Sequence, residues 1–343
     1  MWRAPPPEAT CPRAGGFGRG GPSARRCGGP GGRAPRLRRN IPSPGGPWGE
    51  RGPSARRCGG KSYGGLLLIK NILVALDGSD HSTAAADWAL WLARRLGADL
   101  SALHVVDIVA LEGPFFHDLS GSLGFEPFLN FSSSMKEIME SNGREILASF
   151  KESCGEAGVE AHDHMAYGVV TTEICERATV ADLVILGRRG VNARFEYGML
   201  GSVTEGVIRK SPKPVLVVPE KFKPPCRPLL AYDGGHSASK TMHSAAEFAK
   251  ALDLALTVVA VGGEEAESLL RDAEHYLASY EVEADFVKLE GDPPTAIAEY
   301  ARGEGKDLLF MGASHHARLV EMVLGSTTEY VMRAVERAFF IER

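Results

Sequence analysis

Two acids and two glycine-bearing loops hold the residue types best suited to gripping an anionic ligand. Asp77 closes the first apolar run of the chain and Asp233 closes a later one, in the turns Asp77-Gly78-Ser79 and Asp233-Gly234-Gly235. A carboxylate in such a place can accept hydrogen bonds from sugar hydroxyls, or fold back on its own turn as an Asx contact. After another apolar run ending at Leu186 comes Gly187-Arg188-Arg189-Gly190, then ten residues, then Gly201-Ser202-Val203-Thr204. Glycine at 187, 190 and 201 lets a ligand approach the backbone closely, and a helix opening at Ser202 offers unpaired N–H groups to phosphate oxygens. Ser202 and Thr204 add hydroxyl donors, so a triphosphate suits the set. The later loop reads Gly312-Ala313-Ser314-His315, then nine residues, then Gly325-Ser326-Thr327-Thr328. His315 stands where the first loop has a glycine. Its imidazole either fills the space of a phosphate or turns outward and donates to one, which favours the first loop as the binding one.

The elements that must position these residues follow from periodicity. Strand-length apolar runs are expected at Lys70–Leu76, Leu100–Val106, Glu160–Ala166, Leu183–Leu186 and Val215–Val218. Between them lie amphipathic helices: one capped by Ser82 or Thr83 and stopped by Gly97, then Met135–Cys154, Thr171–Ala178 and Ser202–Lys210. The pattern then repeats. Strands are expected at Leu229–Tyr232, Leu256–Val261, Val282–Leu289, Leu308–Met311 and Ala338–Ile341, with helices at Ser237–Leu252, Ala266–Tyr280, Pro294–Gly303 and Thr327–Val335. Strands alternating with helices predict an α/β fold of two tandem, doubly wound, parallel five-stranded sheets, each covered on both faces. Ligands of such sheets bind beyond the carboxyl ends of the strands where strand order reverses. Asp77 and Gly187 are 110 positions apart, and Asp233 and Gly312 only 79, so the first copy carries an inserted connection, placed at Asp107–Ser133.

A chain of 343 residues exceeds the usual single-core size, in keeping with two domains. The expected layout is a tail over 1–66, a first domain over 67–220, a Pro-rich linker over 221–228 and a second domain over 229–343. A net charge of −4 hides a split, because the first 60 residues hold twelve Arg against only Glu8 and Glu50. That tail is rich in Gly and Pro, repeats GPSARRCGG at Gly21 and Gly52, and has too little apolar surface to fold, so disorder is expected. Folded sequence begins abruptly near Leu68, and no Met lies between Met1 and Met135. A natural start at Leu68 is therefore expected in preference to a basic arm for nucleic acid or lipid. The apolar run Leu66–Leu76 is too short and too interrupted to span a bilayer. Six scattered cysteines form no zinc or disulfide spacing, and no secretory h-region is seen, so a cytoplasmic protein without membrane or nucleic-acid partners is expected.

The strand end VALDGS, the glycine loop after the fourth strand and the phrase GSVTEGVIRKSPKPVLVV together resemble the ATP-binding branch of the universal stress protein family, over residues 69–343. The resemblance implies a Rossmann-like, adenine nucleotide alpha hydrolase-like fold in tandem. It implies that Ala75, Leu76 and Asp77 border adenine and ribose, that Val105 lies near adenine, that Gly187, Gly190, Gly201, Ser202, Val203 and Thr204 surround the phosphates, and that Leu186 belongs to the nucleotide-binding set. In the second copy the matching positions are Asp233, Gly312, Gly325, Ser326 and Thr327. Two departures stand out: the ten-residue spacing in the first copy, where the family has nine, and His315 in the second. The implied ligand is ATP, with AMP or ADP as relatives and Mg²⁺ as its companion. Pairing through fifth strands, implied by the same resemblance, would make the tandem chain an intramolecular pseudo-dimer and leaves a homodimer open.

Other residues are weighed against blander roles. Arg188, Arg189 and Arg194 read as a solvated charged loop rather than as phosphate ligands. His162 with His164, and His315 with His316, lack a carboxylate or thiolate at ligand spacing and read as surface residues. Cys154, Cys175, Trp88 and Trp91 read as core. The expected function is a nucleotide-dependent regulatory module read by a protein partner. A slow ATP-hydrolysing or adenylylating enzyme using Glu205 or Asp77, and a structural stress factor with empty pockets, are the alternatives.

Overall fold

The computed structural model describes residues 69–107, 128–191, 200–313 and 324–343. The first half contains β1 (Asn71–Ala75), α1 (Asp80–Leu96), β2 (Asp99–Asp107), α2 (Phe128–Glu156), β3 (Ala161–Gly168), α3 (Val170–Ala178), β4 (Leu183–Gly187), α4 (Ser202–Lys210) and β5 (Val215–Val218). The second half repeats the series: β6 (Pro228–Ala231), α5 (His236–Leu252), β7 (Leu256–Val261), α6 (Glu264–Ala278), β8 (Ala284–Leu289), α7 (Pro293–Gly303), β9 (Leu308–Gly312), α8 (Ser326–Ala334) and β10 (Ala338–Glu342). The strands most buried on both faces, such as β4 and β5, are the continuous apolar runs LVIL and VLVV, as parallel interior strands should be.

Strand order is β3-β2-β1-β4-β5-β10-β9-β6-β7-β8. Each half is thus a parallel five-stranded sheet whose order reverses between its first and fourth strands, and the two are joined edge to edge. The seam is antiparallel, with Phe339 opposite Val217, Phe340 opposite Leu216 and Ile341 opposite Val215. Val215–Val218 and Ala338–Ile341 thus pair as fifth strands, and Val215–Val218 is an interior strand of the joined sheet. Its ladder groups are taken by β10, which removes two open edges at once. Side chains alternate across the seam: Phe340 joins the core that includes Trp88, Phe150, Phe248 and Phe310, while Phe339 and Ile341 join the core on the opposite face.

Two of the boundaries that differ from expectation bear on the site. Helix α1 starts at Asp80 with Ser79 as its cap, and not at Ser82 or Thr83. Gly78 at φ 82° turns the chain early enough for Ser79 Oγ to accept from the N–H of Ser82 at 3.1 Å. Ser82 Oγ in turn accepts from the N–H groups of Asp77 and Gly78, at 3.1 and 3.3 Å, so the residue taken for the cap supports the turn before it. Helix α2 starts at Phe128, inside what reads as loop, which narrows the inserted connection to residues 108–127, outside the described residues. The tail over 1–66 and its repeats also lie outside them. Among the described residues no helix is long and apolar enough to cross a membrane.

Trp88 is buried, with its ring edge-on to Trp91 at 5.9 Å and to Phe222 of the linker at 5.5 Å, so core packing is the role of that pair. Immediately before Trp88, burial pushes the Asp87 carboxyl up to about 6. A carboxyl whose folded value is raised contributes fully to stability below its unfolded value near 3.8, and that contribution is lost progressively as pH climbs through about 6. Asp87→Asn should therefore raise the melting temperature at pH 7.5 and leave it nearly unchanged at pH 4. Melting curves at the two pH values check this, and equal shifts at both would contradict it.

Candidate functional site

The carboxyl ends of β1 and β4 bring together the residues singled out above. Asp77 stands at the end of β1 with both oxygens engaged: Oδ1 accepts from the N–H of Ser79 at 2.9 Å, and Oδ2 from the N–H of Val191 at 3.0 Å. The first is the Asx contact weighed from sequence; the second clips the glycine loop to the strand end across 114 positions. A carboxylate has about four lone-pair sites, so acceptor capacity remains for a hydroxyl. A Cβ on Gly190 would lie 2.6 Å from Asp77 Oδ2, and only glycine lets the loop settle there undisturbed.

Gly187 is needed for a reason besides ligand approach. A Cβ there would lie 2.8 Å from the backbone carbonyl carbon and oxygen of His81, because the first turn of α1 rests directly on the end of β4. Gly312 has the same duty in the second half, where a Cβ would meet the Ala238 nitrogen at 2.7 Å. The carbonyls of these glycines are gripped alike: Thr204 Oγ1 donates to Gly187 O at 2.9 Å, and Thr328 Oγ1 donates to Gly312 O at 2.9 Å. The Thr204 hydroxyl, expected to donate to phosphate, is thus buried with its single proton committed to a strand-end carbonyl.

The start of α4 matches the expectation of an open helix terminus. Gly201, at φ −62° and ψ 143°, is the N-cap, and no side chain caps the helix; Gly325 does the same for α8 at φ −56° and ψ 139°. Among the described residues the first N–H groups of both helices therefore meet no side-chain cap, and the N-terminal dipole adds partial positive charge. Ser202 and Ser326 are exposed at this position, and Val203 and Thr327 are partly buried beside them.

Next to the α4 terminus lies a partly buried apolar strip. Ala75, Val105 and Val203 all pack against the same core, with Leu186 buried beneath. Ala166, the register partner of Val105 on β3, completes the strip; sequence reasoning missed it because β3 is mostly polar and the pairing is non-local. Leu76 departs from expectation. Its side chain is buried in the core of the opposite face and its N–H donates to Leu103 O at 2.9 Å, so only its backbone faces the ligand side. The Leu76 carbonyl is bonded to Nδ1 of buried His104 at 2.7 Å, and α2 crosses that ring at Gly143, where a Cβ would lie 2.5 Å from His104 Cδ2. In the second half Ala231 and Val261 occupy the matching strip. Asp233 Oδ1 accepts from the N–H of Gly235 at 2.9 Å, the counterpart of the Asp77 turn.

Arg188 corrects the solvated-loop expectation most sharply. It is 2% exposed, its Nη1 donates to Val335 O at 2.9 Å, and its Nη2 donates to Met332 O, both at the C-terminal end of α8 in the other half. Burial pushes its pKa down, while the charge of Glu336 holds it up. Arg194 and His315 lie outside the described residues.

The carboxylates weighed for catalysis already have partners: Glu205 pairs with Arg209 along α4, and Asp77 holds the loop. His164 Nε2 lies against the Arg177 guanidinium, a poor place for a metal cation. Among the described residues no group of three or more His, Cys, Asp or Glu is placed to hold a metal ion.

The sequence profile described as the universal stress protein family matches residues 68–219 and 260–338. A universal stress protein of Synechocystis is 33% identical over 277 residues, covering 77% of this chain and 96% of that protein. One from Methanocaldococcus jannaschii is 33% identical over 163 residues, covering 46% of this chain and 85% of that protein. The crystal structure of a universal stress protein from Archaeoglobus fulgidus superposes with a TM-score of 0.64 at 22% identity, over 80% of this chain and 98% of that one, and speaks for the fold alone. With the family profile matching in both halves and a relative aligned over 96% of its own length, the chain belongs to the universal stress protein family.

Proposed function

We propose that the first half binds an adenine nucleotide, ATP in preference to AMP or ADP, and that the chain acts as a nucleotide-dependent regulatory module and not as a dedicated catalyst. The observation that carries this reading is the uncapped start of α4 set beside an apolar strip. The N–H groups at Ser202, Val203 and Thr204, uncapped among the described residues, suit phosphate oxygens. Ala75, Val105, Ala166 and Val203 suit the face of a purine, and the remaining lone pairs of Asp77 suit ribose hydroxyls. Mg²⁺ would arrive with the triphosphate. In the second half Gly312, Gly325, Ser326, Thr327 and Asp233 form the corresponding, weaker cradle.

Nucleotide would act by favouring one state of the segment between β4 and α4, through its differential affinity for that state, and a protein partner would read the result. We place the protein in the cytoplasm, where the thiols of Cys154 and Cys175 suit a reducing compartment. The engagement of Glu205 and Asp77 in structural contacts weighs against hydrolysis or adenylylation.

Calorimetric titration of nucleotide-stripped protein with ATP, AMP and tripolyphosphate tests the reading. ATP should bind at least about 10-fold more tightly than either, since each of the others lacks one of the two contact sets. Absence of heat with ATP, or equal affinity for tripolyphosphate, would overturn it.

A further inference from the structure

Arg188 sits inside the glycine loop of the first half, yet its side chain leaves that half altogether. The backbone stays local: Arg188 N–H donates to Val218 O at 2.9 Å, and Arg188 O accepts from Gly201 N–H, the cap of α4, at 3.1 Å. The guanidinium crosses the seam to the last carbonyls of α8, the helix whose other end is the second cradle. A cation at a helix C-terminus favours the helix and meets carbonyls that have no partner within it. The reverse connection also exists. Arg343, just after β10, donates through Nη1 to Arg209 O at the C-terminal end of α4. Each cradle helix is therefore gripped at its tail by an arginine of the opposite half.

This arrangement is not the cheapest way to fill the space. Arg188 is buried, its Nε–H has no partner among the described residues, and an apolar side chain of similar volume would avoid that desolvation. At the equivalent position the second half has Ala313, whose backbone N–H bonds Glu342 O at 2.7 Å just as Arg188 bonds Val218. The strand-end geometry therefore does not need an arginine. What the arginine adds is a rigid, forked link between one loop and one distant helix.

We propose that Arg188 couples the two cradles, so that filling the first orders α8 and tightens nucleotide binding at the second. The proposal rests on the reading that the first cradle takes ATP. Nucleotide that fixes Gly187, Gly190 and Gly201 also fixes the root of Arg188, whose carbonyl accepts from the Gly201 N–H, so the bonds to Met332 and Val335 form at a lower entropy cost. A second nucleotide then meets a helix already ordered. By reciprocity, nucleotide at the second cradle tightens the first by the same factor. Arg188 is a positioning residue here and contacts no ligand.

The test uses the full chain with the second cradle closed by Gly325→Asp, so that any change in α8 must come from the first. Calorimetry and hydrogen–deuterium exchange of the peptide over 326–335 are recorded with and without ATP. Exchange there should slow by about 5-fold on ATP addition, the low end of ordinary site coupling. The slowing should vanish when Arg188→Met is added. Arg188→Lys, which keeps a charge at the helix end but lacks the fork, should reduce the slowing and serves in place of Arg188→Met if that variant fails to fold. ATP heat without slowing in the Gly325→Asp protein, or equal slowing with Met or Lys at 188, overturns the coupling while leaving nucleotide binding intact. No ATP heat at all overturns the underlying reading, and the coupling with it.

Discussion

Phe340→Ala should cost roughly 3–5 kcal/mol of stability, the range for removing a fully buried Phe from a core. Phe340 is 1% exposed and lies on β10 opposite Leu216, at the seam of the two sheets. Its ring is 5.1 Å from Phe310 and 6.2 Å from Phe248, so truncation opens a cavity among side chains that cannot close from one side only. For a folded unit of this size the loss corresponds to roughly 10 °C in melting temperature. Tyr330→Ala on α8, where the side chain is 47% exposed, should shift stability by no more than about 0.5 kcal/mol. Thermal melts of the two variants decide the matter. A small effect of Phe340→Ala would mean that the halves are held by something other than the β5–β10 seam.

The doubled architecture was legible because interior parallel strands announce themselves as apolar runs, and because Asp77-Gly78 and Asp233-Gly234 restart the same series. Fifth-strand pairing followed only from the family resemblance, since VLVV by itself reads as well for an edge as for a seam. The start of the first cradle helix was also legible, since Gly201 followed by a helix from Ser202 is sequence-local; the second begins at Ser326, one residue earlier than expected. What escaped were several side-chain contacts made across long stretches of chain. Arg188 looks like a loop charge until α8, more than 140 positions away, supplies the carbonyls that bury it. Thr204 looks like a free hydroxyl until the end of β4 comes within 2.9 Å. Leu76 falls on the wrong face because strand alternation continues one residue past β1, which is visible only once the strand is paired. The cap at Ser79 was missed for a smaller reason, in that Gly78 and Ser82 share the turn and only backbone geometry assigns their parts.

Gly201→Asp separates binding from folding by moving them in opposite directions. The native φ and ψ at this N-cap are open to any L-residue, so no backbone strain is added. An aspartate there supplies the side-chain cap that α4 lacks, worth a few tenths of a kcal/mol over glycine. The same carboxylate takes the N–H groups proposed for phosphate and sets a negative charge against it. Charge-assisted bonds are each worth about 1.5–3 kcal/mol, so the loss should be ~100-fold or more in ATP affinity, with a melting temperature equal to or slightly above wild type. Gly325→Asp should leave the tighter of the two ATP affinities within about 10-fold of wild type, because it closes the weaker cradle and forfeits only the coupling. The deciding measurement is calorimetric titration of ATP into these two variants beside the wild type: high-affinity binding lost at Gly201→Asp and retained at Gly325→Asp is the expected result, and undiminished ATP affinity in a folded Gly201→Asp protein would contradict the assignment of the α4 terminus as the phosphate site.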